Sequence, residues 1–219
     1  MKYHNLLLGI TILVLLTACK NDPPKFPDTF DLGEVQNSTY HNNYFDLTIP
    51  VPDSFQVQSQ EETNQLMNLG IDAIGETNAQ LKKQLVAAAV KNAYLLTAFK
   101  YPIGTDTVDF NPSIVVVAEN VTQLLNVKRG EQYLAATQKL LKKAGMEYVF
   151  SDEIIQKNID KTPFAFMEGY LDVGGMTITQ HYYTRIDKGF ALNIIISFLT
   201  KEDEREMNQI IDGISYGNQ

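Results

Sequence analysis

Three apolar runs near the C-terminal end, separated by glycine-bearing turns, restrict this chain to folds built on antiparallel hairpins. Phe164–Asp172, Met176–Thr184 and Phe190–Phe198 have the length and composition of strands. Val173-Gly174-Gly175 and Ile186-Asp187-Lys188-Gly189 join them with residues that tolerate the positive φ of a tight turn. In the middle run Met176, Ile178 and Gln180 share one face, and Thr177, Thr179 and His181 share the other.

The rest of the chain supplies partners for those hairpins. Tyr44–Ile49 reads as an aromatic and β-branched strand stopped by Pro50 and Pro52, and Leu95–Tyr101 and Ile114–Glu119 read as two more. The unbroken Ile114-Val115-Val116-Val117 is the pattern of a strand covered on both faces. Over 61–93, Leu66, Leu69, Ala73, Ile74, Leu81, Leu85, Ala88 and Ala89 recur at helical spacing. Gly70 and Gly75-Glu76-Thr77-Asn78 predict a kink there or two consecutive helices. A helix is predicted from Gly130 to Ala144, with Tyr133, Leu134, Thr137, Leu140 and Leu141 on one stripe and Gly145 ending it. Thr200 with Asp203 forms a capping-box pattern before a last helix striped by Met207, Ile210, Ile211 and Ile214. The expected class is α+β: helices packed on a mostly antiparallel sheet, as an α/β/α sandwich.

At the other end of the chain, Lys2, an apolar run from Leu6 to Leu16 and the small residues Thr17 and Ala18 precede Cys19, the single cysteine. The run is too short to span a bilayer, which takes about 20 apolar residues. Leu16-Thr17-Ala18-Cys19 resembles the bacterial lipobox. That resemblance implies cleavage before Cys19, a diacylglycerol on its sulfur and palmitate-type acyl chains. An acylated Cys19 leaves no thiol for a disulfide, a nucleophile or a metal, so the fold stands on its core alone.

Residues 1–18 are accordingly expected to be a signal peptide, and 19–38 a lipidated N-terminus and tether. Asn21-Asp22-Pro23-Pro24-Lys25 and Pro27-Asp28 mix prolines with charges and lack periodicity. Fully extended, such a tether reaches about 65–70 Å. Residues 39–219 are expected to form one α+β domain, with 61–93 as a helical insertion. The chain carries a net charge of −8, and removal of Lys2 makes it one unit more negative. That balance disfavours nucleic acid and gives no polybasic attraction to lipid, so attachment to a membrane is covalent.

The element order also resembles the PsbP/Mog1-like family. The matching parts are Tyr44 to Pro50, Pro112-Ser113-Ile114-Val115-Val116-Val117, a helix opening at Glu131-Gln132-Tyr133-Leu134, and Gly189-Phe190-Ala191-Leu192-Asn193-Ile194 before the final helix. The resemblance spans residues 40–216 and implies an assembly or accessory protein without catalysis.

Motifs that carry chemistry are few. Gly213-Ile214-Ser215-Tyr216-Gly217 matches G-x-S-x-G, yet it follows a helix, and both histidines of the mature chain, His41 and His181, lie upstream of it. Those histidines have no metal-ligand spacing. Glu202-Asp203-Glu204 and Glu206 sit where carboxylates meet a helix N-terminus, and Asp152-Glu153 is a lone pair. Gly174-Gly175 belongs to a turn and no P-loop is present. Neither metal nor cofactor is expected. Tyr170, His181, Tyr182 and Tyr183, with Phe164 and Phe166, lie on adjacent hairpin strands, where cross-strand aromatic packing is the default. Left exposed, Tyr170, His181, Tyr182 and Tyr183 would form a binding face for a protein or glycan.

The expectation is a non-enzymatic, lipid-anchored accessory or interaction module of the bacterial envelope, with an envelope protein as partner. The alternative is an envelope ligand-binding or hydrolytic protein with a pocket between the sheet and the helices of 61–93. No aspartate follows Cys19, which points to the outer membrane. Cys19-Lys20-Asn21-Asp22 loosely resembles the surface-export signal of Bacteroidetes lipoproteins, with Asn21 departing from its acidic preference.

Overall fold

The computed structural model describes residues 26–105, 108–143 and 147–217. Cys19, the leader before it, Ala144 and Gly145 lie outside these residues. In chain order the elements are β1 (Glu34–Gln36), β2 (Thr39–Asn42), β3 (Leu47–Pro50), β4 (Gln56–Val57), α1 (Gln60–Thr77), α2 (Ala79–Ala89), β5 (Asn92–Phe99) and β6 (Ser113–Asn120). There follow α3 (Gly130–Lys143), β7 (Tyr148–Phe150), β8 (Ile155–Ile159), β9 (Thr162–Val173), β10 (Met176–Asp187), β11 (Phe190–Phe198), α4 (Lys201–Asp212) and β12 (Ser215–Tyr216).

The fold is α+β, as expected. An eight-stranded sheet runs β4-β5-β6-β11-β10-β9-β7, with β8 also paired to β9, and a four-stranded sheet runs β1-β2-β3-β12. All pairings among the described strands are antiparallel. The hairpins close where the glycines predict. Val173 pairs with Met176 across Gly174 (φ 59°) and Gly175 (φ 86°), and Asp187 pairs with Phe190 across Lys188 (φ 49°) and Gly189 (φ 83°). Two consecutive positive φ values turn the chain with the hand that twisted strands require.

Every residue of β6 and β11 is buried, because both faces of the large sheet are covered. On one face Ile114, Val116, Leu192, Ile194 and Ile196 meet Leu47 and Ile49 of the small sheet and Met207, Ile210 and Ile211 of α4. On the other, Val117, Met167, Leu171 and Ile195 meet Tyr133, Leu134 and Leu141 of α3. Beside α3 on that face, Leu66 and Met67 of α1 cover Val115 and Phe99.

The capping box at α4 is present: Asp203 N donates to Thr200 Oγ1 at 3.1 Å and Thr200 N donates to Asp203 Oδ2 at 3.3 Å. Asp203 also binds Lys100 Nζ at 3.0 Å, and Glu206 binds it at 2.7 Å, which ties α4 to the residue after β5. Burial disfavours the Lys100 charge, but the two carboxylates outweigh it and hold its pKa above the ordinary value. The stretch expected to be helical over 61–93 is two helices, α1 and α2, followed by β5. Ser215 lies on β12, after Gly213 has closed α4, so it leaves a helix where a nucleophile elbow would enter one.

The upstream boundary differs from the expectation. Residues 26–38 were expected to be tether, with the fold starting at Thr39, yet β1 pairs with β2 and Phe26 and Phe30 pack on the core. Phe30 N donates to Pro27 O at 2.9 Å, and the resulting turn aims both rings at Phe190, at 5.8 and 5.1 Å between centroids. Prolines and charges here shape a turn that delivers two aromatic rings, instead of a spacer. Tyr44–Asp46 likewise forms the turn between β2 and β3, with Asp46 at φ 51°, instead of opening the strand.

Candidate functional site

His181 and Glu168 face each other across the β9–β10 pair, on the side of the sheet covered by α4 and the small sheet. Their side chains meet at 2.6 Å between Nε2 and Oε2, and the Tyr170 hydroxyl donates to the other carboxylate oxygen. Three rings stand edge-on around the imidazole: Phe198 at 4.9 Å, Phe166 at 5.1 Å and Tyr183 at 6.5 Å between centroids. The ammonium of Lys157 sits 3.4 Å over the Phe166 ring.

The electrostatics of this cluster follow from burial. Loss of water pulls the His181 pKa below its ordinary 6.5, against the opposing pull of Glu168. Burial also works against the Glu168 charge, but hydrogen bonds from Tyr170 and His181, with Lys157 nearby, hold its pKa below the ordinary value. The Tyr170 hydroxyl is pushed up to about 12, first by its bond to Glu168 and then by burial. The pair is therefore a neutral imidazole donating Nε2–H to a carboxylate. Its Nδ1 lone pair is buried and has no partner among the described residues. With His181 only 4 % exposed behind aromatic rings, the imidazole is closed off from a substrate and serves to anchor Glu168.

This arrangement makes the fold acid-sensitive. A depressed His181 pKa contributes stability that is complete above 6.5 and is lost as the pH falls through the folded-state value. Glu168 and Asp203, both depressed, add a second loss in the carboxylate range. Urea unfolding should show a flat free energy near pH 7 to 8 and a decline beginning below about 6.5. His181→Gln keeps a donor for Glu168 without titrating, so it should remove the upper part of the decline. A stability that rises on acidification through pH 6 would contradict the assignment.

The remaining tyrosines do not form a binding face. Tyr182 is 1 % exposed and points to the opposite side, where it and Tyr148 both donate to Gln180 Oε1, at 2.8 and 2.7 Å. Tyr183 is buried in the core with His181. A strand covered on both faces buries both members of an adjacent pair, so the expected face of Tyr170, His181, Tyr182 and Tyr183 is corrected to a core motif with Tyr170 half-exposed. His41 is exposed on β2, in the other sheet. Among the described residues no group of three or more His, Cys, Asp or Glu side chains is placed to hold a metal.

An open concavity lies at the sheet edge formed by β4. A groove of about 430 Å³ is lined by Gln56, Val57 and Gln58 on the strand side and by Glu62, Gln65, Leu66 and Leu69 of α1, with Pro102 and Ile103 closing it. Three of its apolar side chains are exposed, Val57 41 %, Leu69 51 % and Ile103 44 %, above a buried Leu66. α1 is held in place at its start. Ser59 N donates to Glu62 Oε2 at 2.8 Å and Glu62 N donates to Ser59 Oγ at 3.2 Å, a second capping box, while Gln60 Nε2 donates to Tyr94 O at 2.7 Å. Those Ser59 bonds, backbone first, hold the Glu62 carboxyl below its ordinary range. Gln58 N donates to Thr97 O at 2.8 Å, so by alternation the peptide groups of Val57 point away from β5.

The groove lies where the alternative expectation puts a pocket, between the sheet and the helices of 61–93, but its lining could not be named in advance because three separate segments build it. The Ser59-x-x-Glu62 cap and the Leu66 and Leu69 stripe were the available signals for one of its walls.

No protein-family model and no curated protein sequence matches the chain. Among solved structures it is similar to LpqN, described as involved in cell envelope biogenesis of Mycobacterium tuberculosis, at 14 % identity and a TM-score of 0.44, over 78 % of this chain and 83 % of that one. It is also similar to a protein from Bacteroides thetaiotaomicron at 10 % identity and a TM-score of 0.38, over 79 % of this chain and 46 % of that one. At these values the two likenesses carry no conclusion about activity, substrate or partner.

Proposed function

We propose that this chain is a lipid-anchored protein of the bacterial cell envelope, a non-enzymatic accessory or interaction module tethered through Cys19, that holds a partner in the groove between β4 and α1. The groove carries the reading, because it combines exposed apolar side chains with the outward peptide groups of an edge strand. An extended polypeptide is the ligand that uses both, adding a strand to β4 and seating alternate side chains on Val57, Leu69 and Ile103. No aromatic ring lines the groove to stack against a sugar. The burial of His181 behind aromatic rings supports a role without catalysis, as does the element order on which the PsbP/Mog1-like resemblance rests.

The placement of the groove fits a tethered receptor. Phe26 stacks on Phe190, which pairs with Asn120 at the end of β6, whereas β4 pairs with Ala98 and Phe99, opposite Ile114 and Ser113 at its start. The chain thus joins the domain at one end of the strands and the groove opens at the other, about 25 Å away along β6. From Cys19 to Phe26 the chain reaches at most about 25 Å, which keeps the domain near the membrane with the groove directed outward.

A photoreactive residue at position 57, introduced into the full chain in cells, should yield a discrete adduct with an envelope protein. Leu69→Glu should abolish that adduct. A probe at position 149, exposed on the opposite sheet edge, should not produce it. An adduct of equal yield from position 149, or none from position 57, would sink the proposal.

A further inference from the structure

The end of the domain where the chain emerges has surface properties that the anchor alone does not explain. The loop after β6 turns back at Val121, whose N–H donates to Gly189 O at 3.0 Å, and tucks Leu124 into the core. The next residue, Leu125, is left 81 % exposed, the highest value among the exposed large apolar side chains described. Lys91 O accepts from Asn120 N at 2.9 Å, which places the C-terminal end of α2 at this same end, and there Val90 is 58 % exposed.

Three carboxylates at this end have partners within the fold: Asp46 faces Lys188 at 3.5 Å, Asp187 accepts from the Tyr216 hydroxyl at 2.7 Å, and Asp160 accepts from Tyr216 N at 3.2 Å, whereas Asp28 is exposed beside Phe26. Lys91 and Lys128, flanking Val90 and Leu125 in sequence, join none of the ion pairs among the described residues. Exposed apolar side chains beside free ammonium groups are the composition of a surface that rests in a lipid headgroup layer.

We propose that this end of the domain lies directly on the bilayer that holds Cys19, with Leu125 and Val90 in the headgroup region and Lys91 and Lys128 against lipid phosphates. The inference rests on the anchor reading: the short span from Cys19 to Phe26 brings this end, and not the groove, to the membrane. The lipid contact then fixes the orientation of the domain, so that the groove faces away from the bilayer.

The intact acylated protein in phosphatidylethanolamine–phosphatidylglycerol vesicles tests this. With Cys19 acylated, Leu125→Cys supplies the only free thiol, and an environment-sensitive fluorophore placed there reads the depth. The expected result is flotation with the vesicles, blue-shifted emission at position 125, and quenching by lipids that carry a headgroup-level quencher. The same label on Leu69→Cys should keep its aqueous spectrum. Flotation with an aqueous spectrum at 125, or with equal shifts at 125 and 69, would overturn the contact while leaving the anchor standing. Failure of the intact protein to float would refute the anchor and this inference with it.

Discussion

Exchanging Cys19 for alanine should move the protein from the membrane fraction of cells into the aqueous fraction. Each buried methylene contributes about 0.8 kcal/mol, so two or three acyl chains hold a protein stably where one binds only marginally. The rest of the chain has little to replace them. No helix among the described residues is long and apolar enough to cross a membrane, and the chain as a whole is acidic at −8. Inserting Leu125 adds about 1.5–3 kcal/mol at most, which corresponds to weak, reversible association. Near-complete release is therefore the expected outcome, read by fractionation and immunoblotting with the groove and the fold intact. Retention of Cys19→Ala at the wild-type level would show that something other than acylation holds the protein.

Phe190→Ala should be the most damaging single truncation at the anchor end. Its ring is 1 % exposed and is the common neighbour of Phe26, Phe30, Tyr44 and Phe45, at 5.8, 5.1, 5.8 and 5.8 Å between centroids. Removing a buried phenylalanine costs about 3–5 kcal/mol, because the cavity collapses only partly. In a domain of this size that lowers the melting temperature by on the order of 10 °C. The loss should be accompanied by protease cleavage upstream of β1, since Phe26 and Phe30 lose the surface on which they dock. Phe26→Ala, at a half-buried position, should cost less and leave β9 to β11 intact. A loss below about 1 kcal/mol for Phe190→Ala would mean that the ring cluster does not hold the N-terminal segment.

The sequence was most readable where local chemistry and tertiary packing agree. Gly174-Gly175 and Lys188-Gly189 marked the β9–β10 and β10–β11 turns, the unbroken run of β6 marked a strand buried on both faces, and Thr200 with Asp203 marked the start of α4. It was least readable where an uncommon local conformation is held by distant partners. The β8–β9 turn uses Asp160 and Lys161 at φ 45° and 65° with no glycine, so nothing in the composition announces it. The Asn37 and Ser38 turn between β1 and β2 hides in the same way. Phe26 and Phe30 lie among prolines and charges, and only the distant Phe190 makes them core residues.

The misplaced binding face has a related cause. Alternation distinguishes an inside from an outside only for a strand with one wet face. β10 has none over its central residues, so Tyr182 and Tyr183 point to opposite sides and both are buried. His181 was legible as a strand residue, but its partner Glu168 was set by strand register, which one residue of slip would destroy. The groove depends on Val57, Leu69 and Ile103 meeting from three segments, a proximity that no local pattern encodes.

If acyl chains on Cys19 hold this domain to the envelope, the mature protein extracted from membranes has the intact mass of a chain that starts at Cys19 and carries a diacylglycerol, with or without a further acyl group. An unmodified Cys19, or a mature chain that starts elsewhere, would contradict it.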